Sequence, residues 1–184
     1  MGNKKVIDYA EDDRESVSTL VKIRAPSLVI GLFLGFLISF VTSRFEEVLS
    51  ANVSVAFFIP FIVYIADALG TQTEAIYSRD LKTGKAKFSK YLAKELLLGI
   101  IFGVLFSIFS SILIILWLSQ PRLALSVGIA TFLAVSTAPL VALIVTELLQ
   151  LTRRDPAAGS GPIATVIQDM ISVIIYGIVC SIIL

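Results

Sequence analysis

Residues 53–81 read VSVAFFIPFIVYIADALGTQTEAIYSRDL. The first twelve positions hold no charge, and then Asp67 and Glu74 stand seven residues apart on a run that stays largely apolar. Crossing the hydrocarbon of a bilayer takes about 20 mostly apolar helical residues. The stretch is long enough, and its apolar residues are continuous rather than alternating, which favours a helix over a barrel strand. Arg79 marks the membrane edge at its end. Two acids on a lipid-spanning helix need a reason.

The remainder of the chain repeats the pattern. Of its 184 residues, 57% are hydrophobic and 16% charged, where soluble domains carry about 25% charged residues. Apolar blocks predict membrane spans at roughly 28–42, 53–77, 91–118, 123–149 and 163–184. The predicted class is therefore all-α and integral to the membrane, with five transmembrane helices in one bundle. Residues 1–24 form a polar tail, or carry an interfacial helix striped by Val17, Leu20 and Val21, and the membrane domain occupies 25–184. No cleavable signal peptide is legible in the tail, and Met1-Gly2 lacks the Ser or Thr of a myristoylation pattern. Pro26 suits the first turn of the first span.

Lys and Arg set the orientation. Lys4, Lys5, Arg14, Lys22 and Arg24 precede the first span. Arg79, Lys82, Lys85, Lys87, Lys90 and Lys94 surround the second loop, and Arg153 and Arg154 lie in the fourth. Only Arg44 and Arg122 fall on the other side. The N-terminus is expected inside and the C-terminus outside, in the plasma or inner membrane. With no histidine in the chain, imidazole-ligated metals and His-based acid–base catalysis are excluded. The lone Cys180 reads as a small packed residue. A net charge of +1 gives no sign of nucleic-acid binding. No nucleophile–base pair or phosphate loop suggests an enzyme or a bound cofactor.

Charged residues inside spans cost about 2.5–3.5 kcal/mol each. Those here, Asp67, Glu74, Glu95, Glu147 and Asp169, are all acidic, and no base lies at comparable depth. Such a set suits a hydrated cation path. Glu95 and Glu147, beside Lys94 and Arg153, read as interfacial charges near the helix ends. Asp67, Thr71 and Glu74 share one stripe of the second span, and Thr165, Asp169 and Tyr176 share one face of the fifth. Pro60, Gly70 and Pro139 interrupt or loosen neighbouring backbone. Gly159-Ser160-Gly161-Pro162 forms a tight lead-in to the fifth span. Carboxylates beside freed carbonyls offer the oxygen donors that Mg2+ accepts.

From residue 24 onward the sequence resembles the membrane domain of the MgtE-type magnesium transporter family. The marks are Arg24-Ala25-Pro26, then Pro60 ahead of Gly70-Thr71-Gln72, with Arg79 seven residues after Gln72. Lys94-Glu95 with Gly99 and Gly103 follow, and Asp155-Pro156-Ala157 leads to Gly161-Pro162 and Asp169. The resemblance implies a homodimer of five-helix bundles with a cation pore along the interface. It implies that Asp169 binds hydrated Mg2+, helped by Thr165 and Gly161. Where the family usually has Gly-Gly-Asn-Ala-Gly-Thr-Gln, this chain reads Ala66-Asp67-Ala68-Leu69-Gly70-Thr71-Gln72, so Asp67 is expected to take over part of the Asn's role. Gating is expected to be simple or to come from a separate cytoplasmic subunit.

The expected function is a divalent-cation channel or transporter, Mg2+ first, with Co2+, Ni2+ and Mn2+ accommodated by similar donors. The expected ion-site residues are Asp169, Asp67, Thr165, Glu74, Gly161 and Thr71. Exchange against Na+ or H+, and a regulatory membrane subunit that transports nothing, are the alternatives.

Overall fold

The computed structural model describes residues 13–151 and 156–184, with side chains in the second stretch from 161 onward. Expectations that rest on residues 1–12, on Arg153 and Arg154, or on Asp155 lie outside the described residues. Helices follow one another as α1 (Val17–Ser43), α2 (Glu46–Ala51), α3 (Ser54–Phe57), α4 (Ile59–Lys82), α5 (Phe88–Leu118), α6 (Pro121–Leu151) and α7 (Pro156–Ile183). No strand occurs among the described residues. Five stretches are long and apolar enough to cross a membrane: α1, Ser54–Lys82, α5, α6 and Gly161–Ile183. The five expected spans are all present.

Their boundaries differ from expectation at three places. The first helix starts at Val17, because the Ser16 hydroxyl accepts a hydrogen bond from the Thr19 amide and caps the first turn. Pro26 is consequently inside α1 rather than in its first turn, and the boundary drawn after residue 24 falls within a continuous helix. Val17 and Val21 stand 77% and 57% exposed on that helix; they belong to no separate interfacial helix. The second span is broken at Phe58, between α3 and α4, where Pro60 sits at the start of α4. Proline donates no amide hydrogen and fits a first turn, so the break costs little. The fifth helix begins at Pro156, which places Gly161 and Pro162 inside α7 rather than ahead of it.

The bundle is organised around α6. This helix packs against α4, α5 and α7, whereas α1 is seated mainly on α7 and α4 meets α5 chiefly through side chains. Ala124, Val127, Ala130, Ala134 and Ala138 of α6 are buried, and their small side chains let neighbouring backbones come close. The closest approach is to α5. A β-carbon on Gly99 would stand 2.8 Å from the Ser136 carbonyl oxygen, and one on Gly103 would stand 2.9 Å from that of Phe132. Only glycine fits at either position.

Outward faces are apolar instead. Phe36 of α1 is 79% exposed and Leu116 of α5 is 76% exposed, as lipid-facing residues should be. Several polar groups are directed inward and paired across helices. Thr73 of α4 donates to Glu95 of α5 at 2.7 Å, and Tyr77 of α4 donates to Glu147 of α6 at 2.6 Å. Glu95 and Glu147, expected as interfacial charges reaching water or nearby bases, are therefore cross-helix acceptors, and Glu95 is only 7% exposed. A hydrogen bond to a charged group contributes about 1.5–3 kcal/mol, which offsets part of their desolvation. Cys180 is fully buried in the core, the small packed residue expected from sequence.

Candidate functional site

α4 and α7 pack against each other and run in opposite directions through the bundle. Going down α4, Asp67, Thr71 and Glu74 recur every three or four residues, so one stripe carries all three. Going up α7, Gly161, Thr165 and Asp169 recur every four residues for the same reason. Opposed direction matches the two stripes end to end. The Glu74 carboxylate lies at Gly161, where a β-carbon would stand 3.5 Å from Oε1 and 3.9 Å from Oε2. At the other end of the strip, Asp67 and Asp169 lie within electrostatic range of each other. Seven residues of α4 thus span the same length as eight of α7, about 10–12 Å at 1.5 Å per residue. Of the six residues expected from sequence, Glu74 is brought to Gly161, Thr71 to Asp67 and Asp67 to Asp169, and Thr165 falls between Gly161 and Asp169 on the α7 stripe.

Their surroundings differ. Asp67, Glu74, Thr165 and Asp169 are half-buried, while Thr71 is exposed. The Thr71 hydroxyl donates a long 3.5 Å hydrogen bond back to Asp67 Oδ2. Asp169 Oδ1 is buried with no hydrogen-bond partner among the described residues. A buried carboxylate oxygen without a donor is strongly disfavoured, and the Asp67 carboxylate, within electrostatic range, repels it. Both conditions are relieved by a cation. No three acidic, histidine or cysteine residues converge tightly enough to hold a metal ion among the described residues. The acids form an open strip along two helices instead of a closed cage.

Other polar residues hold the strip in place. Gln168, next to Asp169, is buried, and its Nε2 donates to the Ala134 carbonyl and to Ser172 Oγ, both at 3.2 Å. That bond fastens α7 to α6 one residue from the acid. Tyr176, expected on the Asp169 face, donates to the Val55 carbonyl at 2.8 Å. Its hydroxyl is engaged in joining α7 to α3 and is not offered to an ion. The sequence signal for Gln168 was available, a lone amide in an apolar run. Nothing in the sequence pairs Tyr77 with Glu147, which stand 70 residues apart.

The strip lies inside a region with known relatives. The family profile described as "MgtE: Divalent cation transporter" matches residues 59–179, which take in α4 to α6 and nearly all of α7. The chain belongs to the MgtE family. MgtE proteins are multi-pass membrane transporters, not enzymes, and the five apolar helices agree. A protein of Bacillus subtilis (strain 168) named "Magnesium transporter MgtE" is 30% identical over 156 residues, covering 83% of this chain and 35% of its own length. Proteins of the same name from Enterococcus faecalis and Thermus thermophilus are 30% and 29% identical, over 83% and 81% of this chain. The chain spans about a third of the length of these curated MgtE relatives.

Proposed function

We propose that this MgtE-family chain carries divalent cations, Mg2+ foremost, across the cell membrane along the α4–α7 strip. The observation that carries the reading is the buried, unpartnered Oδ1 of Asp169, set against a second acid, Asp67, with no base beside either among the described residues. In this reading Asp169 and Asp67 hold the ion, Thr165 and Thr71 line its path, and Glu74 with Gly161 forms the mouth at the lysine-rich end. An open strip in place of a closed cage suits an ion that keeps its water, since Mg2+ dehydrates reluctantly. The relatives' printed name, magnesium transporter, supports the choice of ion. Co2+, Ni2+ and Mn2+ would meet the same oxygen donors.

The strip's exposure supports a homodimer. Thr71 and Gln72 face outward from the single chain, and a polar face is disfavoured against lipid. A second copy related by a two-fold axis would cover it with an identical strip, so that four Asp carboxylates surround one path.

Uptake of Mg2+ into vesicles reconstituted with the protein tests this directly. Flux is expected with the parent and lost with Asp169→Ala. Equal flux through that variant would refute the assignment of the site. Flux is expected to persist without an imposed Na+ or pH gradient, and a strict need for one would reassign the protein to coupled exchange.

A further inference from the structure

Near the lysine-rich turn between them, α4 and α5 meet through side chains, Tyr77 on Phe88 and Tyr91 and Thr73 on Glu95, while the backbone of each packs chiefly on α6 and leaves a wedge beside these contacts. The wedge left open is a cavity of about 470 Å3. Lys85, Lys87, Lys90 and Lys94 line it, and Ile76 and Leu98 give it an apolar side. Both apolar residues are turned outward from the bundle, 43% and 39% exposed. None of the four lysines forms an ion pair among the described residues.

Asp80, Tyr91 and Glu95 also line the cavity; Lys85 lies within electrostatic range of Asp80, and each acid is already held by a hydrogen bond. Asp80 accepts hydrogen bonds from Tyr91 at 2.5 Å and from Arg79 at 3.1 Å. Glu95 accepts from Thr73 at 2.7 Å. The first turn of α5 also opens here, with Lys87 at its N-cap and no side-chain cap. Its free amides add partial positive charge to that of the ammonium groups. Four ammonium groups against two carboxylates leave the lining net positive, which favours an anionic occupant with several acceptor oxygens that lies against hydrocarbon on one side. Basic pockets between helices at the membrane surface bind anionic headgroups on these grounds.

We propose that this cavity holds the phosphate group of an anionic membrane lipid, with the acyl chains running down the Ile76–Leu98 side. The lipid fills the wedge between α4 and α5 and braces the end of α4 that bears Glu74. This site is separate from the cation strip, and its occupancy is read without any transport measurement.

Native mass spectrometry of the purified full chain, titrated with phosphatidylglycerol or phosphatidylcholine, tests it. Phosphatidylglycerol is expected to be retained preferentially. Lys87→Gln or Lys90→Gln lowers that retention about fivefold each, and Lys90→Arg keeps it. Arg44→Gln and Arg122→Gln, at the other end of the bundle, leave it unchanged. Retention that ignores headgroup charge, or that survives both lysine variants, overturns the proposal. So does an equal loss with the arginine variants, which would reduce the effect to net charge. Excess inorganic phosphate is expected to leave the lipid bound. Displacement by phosphate alone would assign the cavity to a soluble anion instead.

Discussion

The carboxylate of Glu74 faces the backbone of Gly161 across the α4–α7 contact, 3.5 Å from where a β-carbon would be. That distance is ordinary van der Waals contact, so one methyl group fits and a longer side chain does not. Gly161→Ala is expected to keep Mg2+ flux within about twofold, and Gly161→Leu to reduce it about tenfold or more by displacing Glu74. Vesicle uptake compared at equal protein incorporation measures both. Full activity of Gly161→Leu would remove this contact from the ion path.

Asp169 and Asp67 repel each other in the absence of a cation, so the strip is a site of stored instability. Asp169→Asn removes the repulsion while keeping the shape. Its Tm without divalent ions is expected to rise, and the further rise on adding Mg2+ to shrink, because stabilisation by a ligand follows its affinity. Loss of one charged contact corresponds to a weakening of about tenfold or more in Mg2+ binding. Thermal melts with and without Mg2+ decide the matter; an unchanged Mg2+ shift counts against Asp169 as a ligand.

Tyr77→Phe leaves the Glu147 carboxylate without its donor. A loss of about 1–3 kcal/mol in stability is expected. Glu147→Gln alone should also destabilise the protein, but adding it to Tyr77→Phe should cost less than the sum of the two. Denaturation of the four proteins in one detergent gives the coupling, and strict additivity would mean that the hydrogen bond contributes nothing.

Gly103→Leu forces α5 away from the Phe132 carbonyl. Overpacking of this kind costs about 1–3 kcal/mol or more. A lowered Tm without change in the relative ion preference of the protein is the expected result.

Orientation follows from the distribution of Lys and Arg and has its own test. In a Cys180→Ser background, Lys85→Cys is expected to react with impermeant maleimide only from the cytoplasmic side and Arg122→Cys only from the opposite side. The reverse pattern would invert the topology.

The spans were legible because a bilayer demands long unbroken apolar runs, a signal that needs no tertiary information. Asp67 and Asp169 were legible for a related reason, since an acid in such a run stands out against its own segment. Helix starts were less legible. Ser16 caps α1 within a polar stretch that hydropathy reads as tail, and Pro156 begins α7 before Gly161 and Pro162, residues that read locally as breakers. The roles of Glu95 and Glu147 depended on Thr73 and Tyr77, partners from other helices. A charge near a helix end looks interfacial until the opposing hydroxyl is known. Pairing of the two acidic stripes likewise required the antiparallel packing of α4 on α7.

At the end of α7 away from Gly161, two contacts fasten the helix. Tyr176 is hydrogen-bonded to the Val55 carbonyl, and the Phe45 ring presses so closely on Gly177 that no β-carbon would fit. A third, Gln168 on the Ala134 carbonyl, holds the middle of the helix one residue from Asp169. Asp169 is thus clamped between fixed points, whereas Gly161 lies about 10 Å beyond Gln168, past the last of these bonds. Displacement of α7 would therefore move the mouth of the strip while the ion-facing acid stays in place.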